Sequence, residues 1–324
     1  MPAGPFPFAE MNGLWHSSAM DKIGKYVIEA PLLDTGFSDI YIARDPERDG
    51  YFAVKVFHPK GSNVGENAKY GEEFWRARFV DETGIMARFE HPNLIQVVDV
   101  GETEDGDPYF VMPFMQANLL YEIGEDAETP EEIEKLDKKW RPRALSPRRA
   151  VEIWRQMLDG LSALHKAGLV HRDIKPPNVL LDSKKQGRVK LCDFGMVKVP
   201  GAVGSRSGIW VGTLEYISPE QRKSATEVDA RSDVYSAGVV IYRMLSGRLP
   251  KQGRAPMRAG RFGIPHGLVD LIENCLQHRR RDRPSDAREV LDKLDEFVPD
   301  IQSLPERSRI PLRTARIKVI SKTS

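Results

Sequence analysis

Hydrophobic and polar positions change their period partway along the chain. Between residues 26 and 112 the apolar residues come in short β-branched or aromatic runs: Tyr26–Ala30, Ile40–Arg44, Tyr51–Phe57, Leu94–Val100 and Tyr109–Met112. Turn pairs such as Asp49-Gly50 and Asp105-Gly106 separate them, so strands are predicted. One interruption, from Phe74 to Phe89, sets Phe74, Arg78, Glu82, Ile85 and Phe89 near helical spacing and predicts a helix. After Met115 the helical period dominates. Ser146 is a good N-cap with Pro147 at the first helical position, and Val151, Trp154, Leu158 and Leu161 then share one face of a helix that stops at Gly168. Further helices are predicted over 233–245, 268–277 and 287–297. Strands and one helix followed by a mainly helical half predict an α+β fold of two lobes, with a cofactor expected in a cleft between them.

Three stretches lack a core-forming pattern. Residues 1–25 mix Pro, Gly, Ser and Met without a period and are expected to be an irregular extension. Residues 122–143 carry eight acidic and five basic side chains, the signature of a solvated, partly helical surface segment. Residues 306–324 carry one acid and six bases. The basic tail and the 122–143 segment are the candidate surfaces for a partner protein. Composition narrows the class further. Lys and Arg total 48 against 47 Asp and Glu, which argues against general affinity for nucleic acid or membrane surfaces. No apolar run is long enough to span a bilayer, and the first residues lack a signal-peptide pattern. Two cysteines, Cys192 and Cys275, suggest no disulfide framework and fit a reducing, cytoplasmic setting.

The chemistry concentrates in one run, Val170-His171-Arg172-Asp173-Ile174-Lys175-Pro176-Pro177-Asn178. Phosphoryl transfer needs an acceptor for the substrate hydroxyl proton, a cation beside the transferred group and oxygen ligands for Mg2+. Asp173, Lys175 and Asn178 supply these on one short loop. Asp193-Phe194-Gly195 follows and offers the second hard carboxylate that a phosphate-bridging dication requires.

This array resembles the eukaryotic-type protein kinase family, most closely its bacterial Ser/Thr branch, in order over residues 26–298. The resemblance implies a bilobal fold, with a small β-rich N-lobe holding one helix at 26–115 and a larger, mainly α-helical C-lobe at 116–298. Residues 1–25 and a basic tail at 299–324 would flank it. It implies ATP and Mg2+ as cofactors, with Mn2+ as a substitute, and a protein bearing a Ser or Thr acceptor as substrate. Asp173 would be the base, Lys175 the cation, and Asn178 and Asp193 the metal ligands. Ala53-Val54-Lys55 resembles the strand whose Lys reaches the nucleotide phosphates, with Glu82 as its helix partner and Asp81 and Glu90 as competitors. Met112 falls at the gatekeeper position before a hinge that includes Phe114 and Met115. Ala53 and Leu180 match the residues above and below adenine, and Ile40 sits where the glycine-rich loop returns. Gly212 to Glu220 resembles the end of the activation segment, Arg283 the late partner of Glu220, and Asp233 the start of the central C-lobe helix.

Two features modify the expectation. The glycine positions of the phosphate-covering loop hold Leu33, Thr35 and Ser38, with Gly36 one place off, so altered nucleotide handling is expected. That departure supports an alternative, a pseudokinase or nucleotide-binding scaffold. A small-molecule phosphotransferase shares the Asp-to-Asn core, but such enzymes lack the Gly212–Glu220 segment and its Arg283 partner. Lys175 and Thr213 resemble Ser/Thr rather than Tyr kinases. Arg172 before the base marks kinases in which a phosphate orders the activation segment, and Ser205 and Ser207 are the favoured autophosphorylation sites. Each phosphate would add about −1.5 to −2 charge for Arg172 to meet.

Overall fold

A computed structural model describes residues 22–34, 38–58, 71–182, 187–194, 214–223, 228–251 and 257–306. Two compact units divide the chain: Met1–Glu90 with Ile95–Phe114, and His91–Leu94 with Met115–Ser324.

The first unit comprises β1 (Lys22–Ile23), β2 (Tyr26–Asp34), β3 (Ser38–Arg44), β4 (Phe52–Phe57), α1 (Glu72–Met86), β5 (Asp99–Glu102) and β6 (Pro108–Pro113). Among the described residues the strands form one antiparallel sheet in the order β1-β2-β3-β4-β6-β5. Alternation along β4 decides its two faces. Phe52, Val54 and Val56 join Ile23, Tyr26, Ala43, Tyr109 and Val111 in one buried cluster. Ala53, Lys55 and Phe57 point the other way. There Phe57 and Phe110 stack on Phe79 of α1 at 5.8 and 5.3 Å between ring centroids, and the helix is seated on the sheet. The irregular extension expected through residue 25 ends sooner, because Lys22–Ile23 pairs with β2 and Ile23 is buried. The strand expected at Leu94–Val100 lies later, at Asp99–Glu102. Leu94 is buried in the second unit instead, where it bridges to Leu191. The helix expected at 74–89 runs over Glu72–Met86 and buries Phe79, Glu82, Ile85 and Met86: Glu82 and Ile85 are on the expected face, while Phe79 and Met86 take the places expected of Phe74, Arg78 and Phe89, which are half-buried.

The second unit begins with β7 (Ala117–Asn118), α2 (Leu120–Ile123) and α3 (Pro130–Lys135), and continues into α4 (Pro147–Lys166). Ser146 caps α4 by accepting from the Arg149 N–H at 3.2 Å, and Pro147 stands in its first turn. The predicted stripe is buried: Val151, Trp154, Leu158 and Leu161 are at 0% exposure, each worth about 1.5–3 kcal/mol of apolar burial. After α4 come β8 (Val179–Asp182), β9 (Arg188–Leu191), α5 (Pro219–Lys223), α6 (Ala230–Ser246), α7 (Ala259–Phe262), α8 (His266–Cys275) and α9 (Ala287–Phe297). β7, β8 and β9 make a second antiparallel sheet. The 122–143 segment is not simply solvated. Its two ends are tied to each other, with Arg143 N–H donating to Ile123 O at 2.8 Å and Glu125 N–H to Trp140 O at 2.8 Å, and the Arg149 guanidinium of α4 donates to Glu122. Nor does packing stop at 298: Leu304 is buried, and the Arg148 guanidinium donates to the carbonyls of Gln302 and Leu304.

Trp154 Nε1 donates to Ala237 O at 3.0 Å, so α4 and α6 are fastened as well as packed. On the next residue, a Cβ added to Gly238 would meet Cys275 Cβ of α8 at 2.8 Å. Gly238→Ala is therefore expected to lower stability by about 1–3 kcal/mol in urea denaturation. Gly84→Ala on α1, where a Cβ meets nothing within 4 Å, is expected to raise it by roughly 0.5–1 kcal/mol.

Candidate active site

In the first unit, β4 and α1 bring one charged pair together. Lys55 Nζ lies 2.9 and 3.0 Å from the two carboxylate oxygens of Glu82, and both side chains are nearly buried. The ammonium also sits 5.5 Å from the Phe110 ring centroid and 5.8 Å from that of Phe79, so aromatic faces complete its surroundings. Asp81 and Glu90, the competing partners, are exposed. Ala53 pairs with Met112 and Ile40 with Lys55 across the sheet, placing the residues expected around a nucleotide in register. Phe114 N–H donates to Tyr51 O at 3.0 Å, and Met115 begins the second unit. Leu33 stands opposite Ile40 in the ladder, and Gly36 lies outside the described residues.

In the second unit the residues expected to form the catalytic loop lie between α4 and β8. Asn178 Nδ2 donates to both Asp173 O (2.8 Å) and Asp173 Oδ2 (2.9 Å), while Lys175 Nζ approaches Asp173 Oδ2 at 2.9 Å. Burial raises the Asp173 carboxyl above its ordinary value. The Lys175 ammonium opposes that shift and the Asp193 carboxylate adds to it. The Asn178 side chain turns its Nδ2 toward Asp173, which makes its carbonyl oxygen the ligand end. Asp193 follows Cys192, whose N–H donates to Asn178 O at 3.1 Å. Asn178 and Asp193 thus offer hard oxygen donors of the kind Mg2+ takes alongside phosphate and water, and the residues fit that ion. Leu180, the expected floor of the adenine slot, pairs with Asn118 and Lys190.

Two residues of this loop system, Arg172 (φ 70°) and Asp193 (φ 66°), hold a backbone that L-residues rarely adopt. Asp233 compensates the first. Its carboxylate is fully buried and accepts the N–H groups of His171 and Arg172, both at 2.8 Å. Burial alone would raise this carboxyl, but the His165 hydrogen bond and the backbone donors bring it below its ordinary value. Near Asp193, His171 Nε2 approaches Cys192 O at 3.2 Å, and the His171 ring packs on Phe194 at 5.3 Å. The sequence did not single out His165, which bridges Asp233 (2.9 Å) and the Ala287 N–H (3.1 Å), or Gln221, which donates to Arg172 O at 2.7 Å. A histidine on the apolar face of a predicted helix was the available signal for the first; Gln221 carried none.

Glu220 and Arg283 form a two-bond pair at 2.7 and 2.8 Å, with Ser232 Oγ donating to Glu220 at 2.7 Å. Thr213, Ser205 and Ser207 lie outside the described residues.

The protein kinase domain family model matches residues 32–294, and the chain belongs to that family. It is 32% identical over 292 residues to the Myxococcus xanthus serine/threonine-protein kinase Pkn2, covering 84% of this chain and 32% of that protein. Against the Mycobacterium bovis serine/threonine-protein kinase PknL it is 32% identical over 304 residues, covering 89% of this chain and 68% of that one. The chain thus spans about one third to two thirds of the length of these curated relatives. A point mutant of the Mycobacterium tuberculosis PknI kinase domain superposes with a TM-score of 0.57 at 25% identity, covering 88% of this chain and all of that one. Among the described residues no helix is long and apolar enough to cross a membrane.

The Glu220 pair makes a testable statement about pH. Burial raises the Glu220 carboxyl, but the bonds from Arg283 and Ser232 outweigh it and bring the value from 4.5 down to about 2. A depressed carboxyl stabilises the fold above its unfolded value and loses that contribution as pH falls toward the folded one. Wild-type stability in urea is expected to fall between about pH 4.5 and 2. Glu220→Gln is expected to be less stable at neutral pH and to fall less steeply over that window.

Proposed function

We propose that this chain is a serine/threonine protein kinase that transfers the γ-phosphoryl of Mg-ATP to a Ser or Thr hydroxyl of a protein, itself included. The observation that carries the proposal is a pair of held charges, one in each unit. Lys55 is fixed by Glu82 for nucleotide phosphates, and Asp173 is oriented by Asn178 and Lys175. Family membership and the two curated relatives support the same chemistry.

The Asp173 carboxylate, whose Oδ2 already accepts from Asn178 and Lys175, would take the substrate hydroxyl proton as the hydroxyl oxygen attacks. Its raised pKa brings it nearer the range of a working base. Lys175, on the same oxygen, would balance negative charge on the transferred group. Asn178 and Asp193 would hold Mg2+, which neutralises phosphate charge when bound. Arg172 and the hydroxyls of Ser205, Ser207 and Thr213 would form the phosphate-dependent ordering device of the activation segment.

Wild type incubated with radiolabelled Mg-ATP is expected to label itself and a generic basic protein, with added mass mapping to 205–213. Asp173→Ala is expected to reduce transfer by roughly 10²–10⁴-fold. Equal background in both proteins would sink the kinase proposal and favour a nucleotide-binding scaffold, the alternative suggested by the replaced loop glycines.

A second expectation concerns pH. Lys175 holds the Asp173 carboxyl down against burial, so Lys175→Met removes the opposing charge. The acid limb of the kcat/KM profile is expected to move to higher pH in this variant. An unmoved limb would mean that Asp173 is not the titrating base.

A further inference from the structure

One buried charge lies outside the machinery described so far. Arg243 interrupts an apolar stretch of α6, Val239-Val240-Ile241-Tyr242-Arg243-Met244-Leu245, and is 1% exposed. A guanidinium there costs several kcal/mol of desolvation unless its donors are met, and an apolar residue would avoid that cost. Here they are met by one segment. Nε donates to Asp126 Oδ1 at 2.6 Å, Nη2 to the carbonyls of Ile123, Gly124 and Glu125 at 3.1 to 3.3 Å, and Nη1 to Arg143 O at 3.3 Å. Both ends of the charged 122–143 segment are therefore drawn to a single side chain.

The pair does not end at Asp126. Its second oxygen, Oδ2, accepts the Tyr216 hydroxyl at 2.7 Å. Tyr216 is 3% exposed, and its carbonyl accepts from Ser236 Oγ of α6 at 2.7 Å. Burial, with Asp126 beside it, pushes the Tyr216 phenol well above its ordinary range, so the hydroxyl stays a donor. Tyr216 leads straight into Ile217, Ser218 and α5, where Gln221 donates to Arg172 O next to Asp173. A continuous path of bonds thus runs from Arg243 through Asp126 and Tyr216 to the residue before the proposed base.

We propose that Asp126, anchored by Arg243, is a positioning residue for the polypeptide substrate: it fixes Tyr216, and with it the 214–223 segment, in the arrangement that receives a Ser- or Thr-bearing chain. The proposal rests on the kinase function above and deepens it. The Asp126 carboxylate bonds Arg243 and Tyr216, so its effect is expected on the binding of the polypeptide and not on ATP.

The test uses the full chain and two conservative variants. Tyr216→Phe deletes one hydroxyl and keeps the Asp126–Arg243 pair. Asp126→Asn keeps the shape and removes the charge. Each is expected to raise the KM for a peptide substrate about tenfold, the size of one lost hydrogen bond to a charged group, with the KM for ATP unchanged. The double variant is expected to fall short of the sum of the two singles, because both act on the same Tyr216–Asp126 bond. Amide exchange over 214–223 is expected to quicken in Tyr216→Phe while α1 keeps its protection. If Asp126→Asn leaves Arg243 unpaired and fails to fold, Tyr216→Phe decides alone. Unchanged peptide KM and unchanged exchange in Tyr216→Phe would overturn the proposal, as would equal rises in both KM values. A wild type that transfers no phosphate would overturn the kinase function instead, and exchange over 214–223 would still show whether this bond holds the segment.

Discussion

The loop that carries Asp173 depends on the Asp233 carboxylate. Arg172 takes a left-handed backbone, and such a conformation persists only where the surroundings over-determine it. Asp233 does so from a position with no access to solvent, accepting two consecutive backbone N–H groups on one side and His165 on the other. An unpaired carboxylate at that depth would be prohibitive. Three donors convert it into a rigid fixture, and its pKa falls below the ordinary value in spite of burial. Asp173 is thereby placed on a loop whose shape does not rely on the loop's own preferences.

Asp233 belongs to a helix that organises more than one segment. Ser232, one residue before it, donates to Glu220, and Ser236 donates to Tyr216 O. Arg243, two turns on from Ser236, gathers the 122–143 segment. The rest of the helix is apolar and locked by Val234, Val239, Val240 and Ile241, all at 0% exposure. The arrangement separates two tasks. Apolar packing fixes where the helix lies, and a few satisfied polar groups along it fix where the segments around it lie. Removing one polar partner leaves the other buried and unpaired, so these contacts specify geometry more than they add stability.

What could be read from the sequence follows from the range of each interaction. The α4 stripe, its Ser146 cap and the Asp173–Asn178 loop are local patterns, and local patterns are written in consecutive residues. Lys55 and Glu82 were legible as a pair because Lys55 lies on a predicted strand and Glu82 on the one helix predicted among the strands. The rest of the α1 face was not, because Phe79 and Met86 are buried where Phe74 and Phe89 offered the same apolar spacing. β8 and β9 were missed because four-residue strands between a catalytic loop and a turn carry too few alternations to count. Gln221, Ser236 and the Asp126 bond to Tyr216 are satisfied by partners 20 to 90 residues away, and no local pattern encodes them. Arg243 was the exception that sequence could have flagged: a charge inside an apolar helical face must have a buried partner.

The replaced glycines are best judged by the backbone they occupy. β2 and β3 pair as far as Asp34 opposite Asp39, with Leu33 opposite Ile40 and Ser38 opposite Phe57 of β4. Neither Leu33 nor Ser38 has a positive φ. At these two positions an ordinary strand conformation suffices, and a side chain costs no backbone strain. What a Cβ does take away is close approach of the main chain to a phosphate. Leu33 directs about half of its surface to solvent, so an apolar side chain stands where a glycine would leave the main chain bare. The consequence is steric and local, and it leaves Lys55, two positions along β4 from Phe57, with its Glu82 partner undisturbed. Replacement of the glycines therefore bears on how tightly the hairpin can close on a nucleotide, while the charges that would act on phosphate are set by β4 and α1 independently of that hairpin.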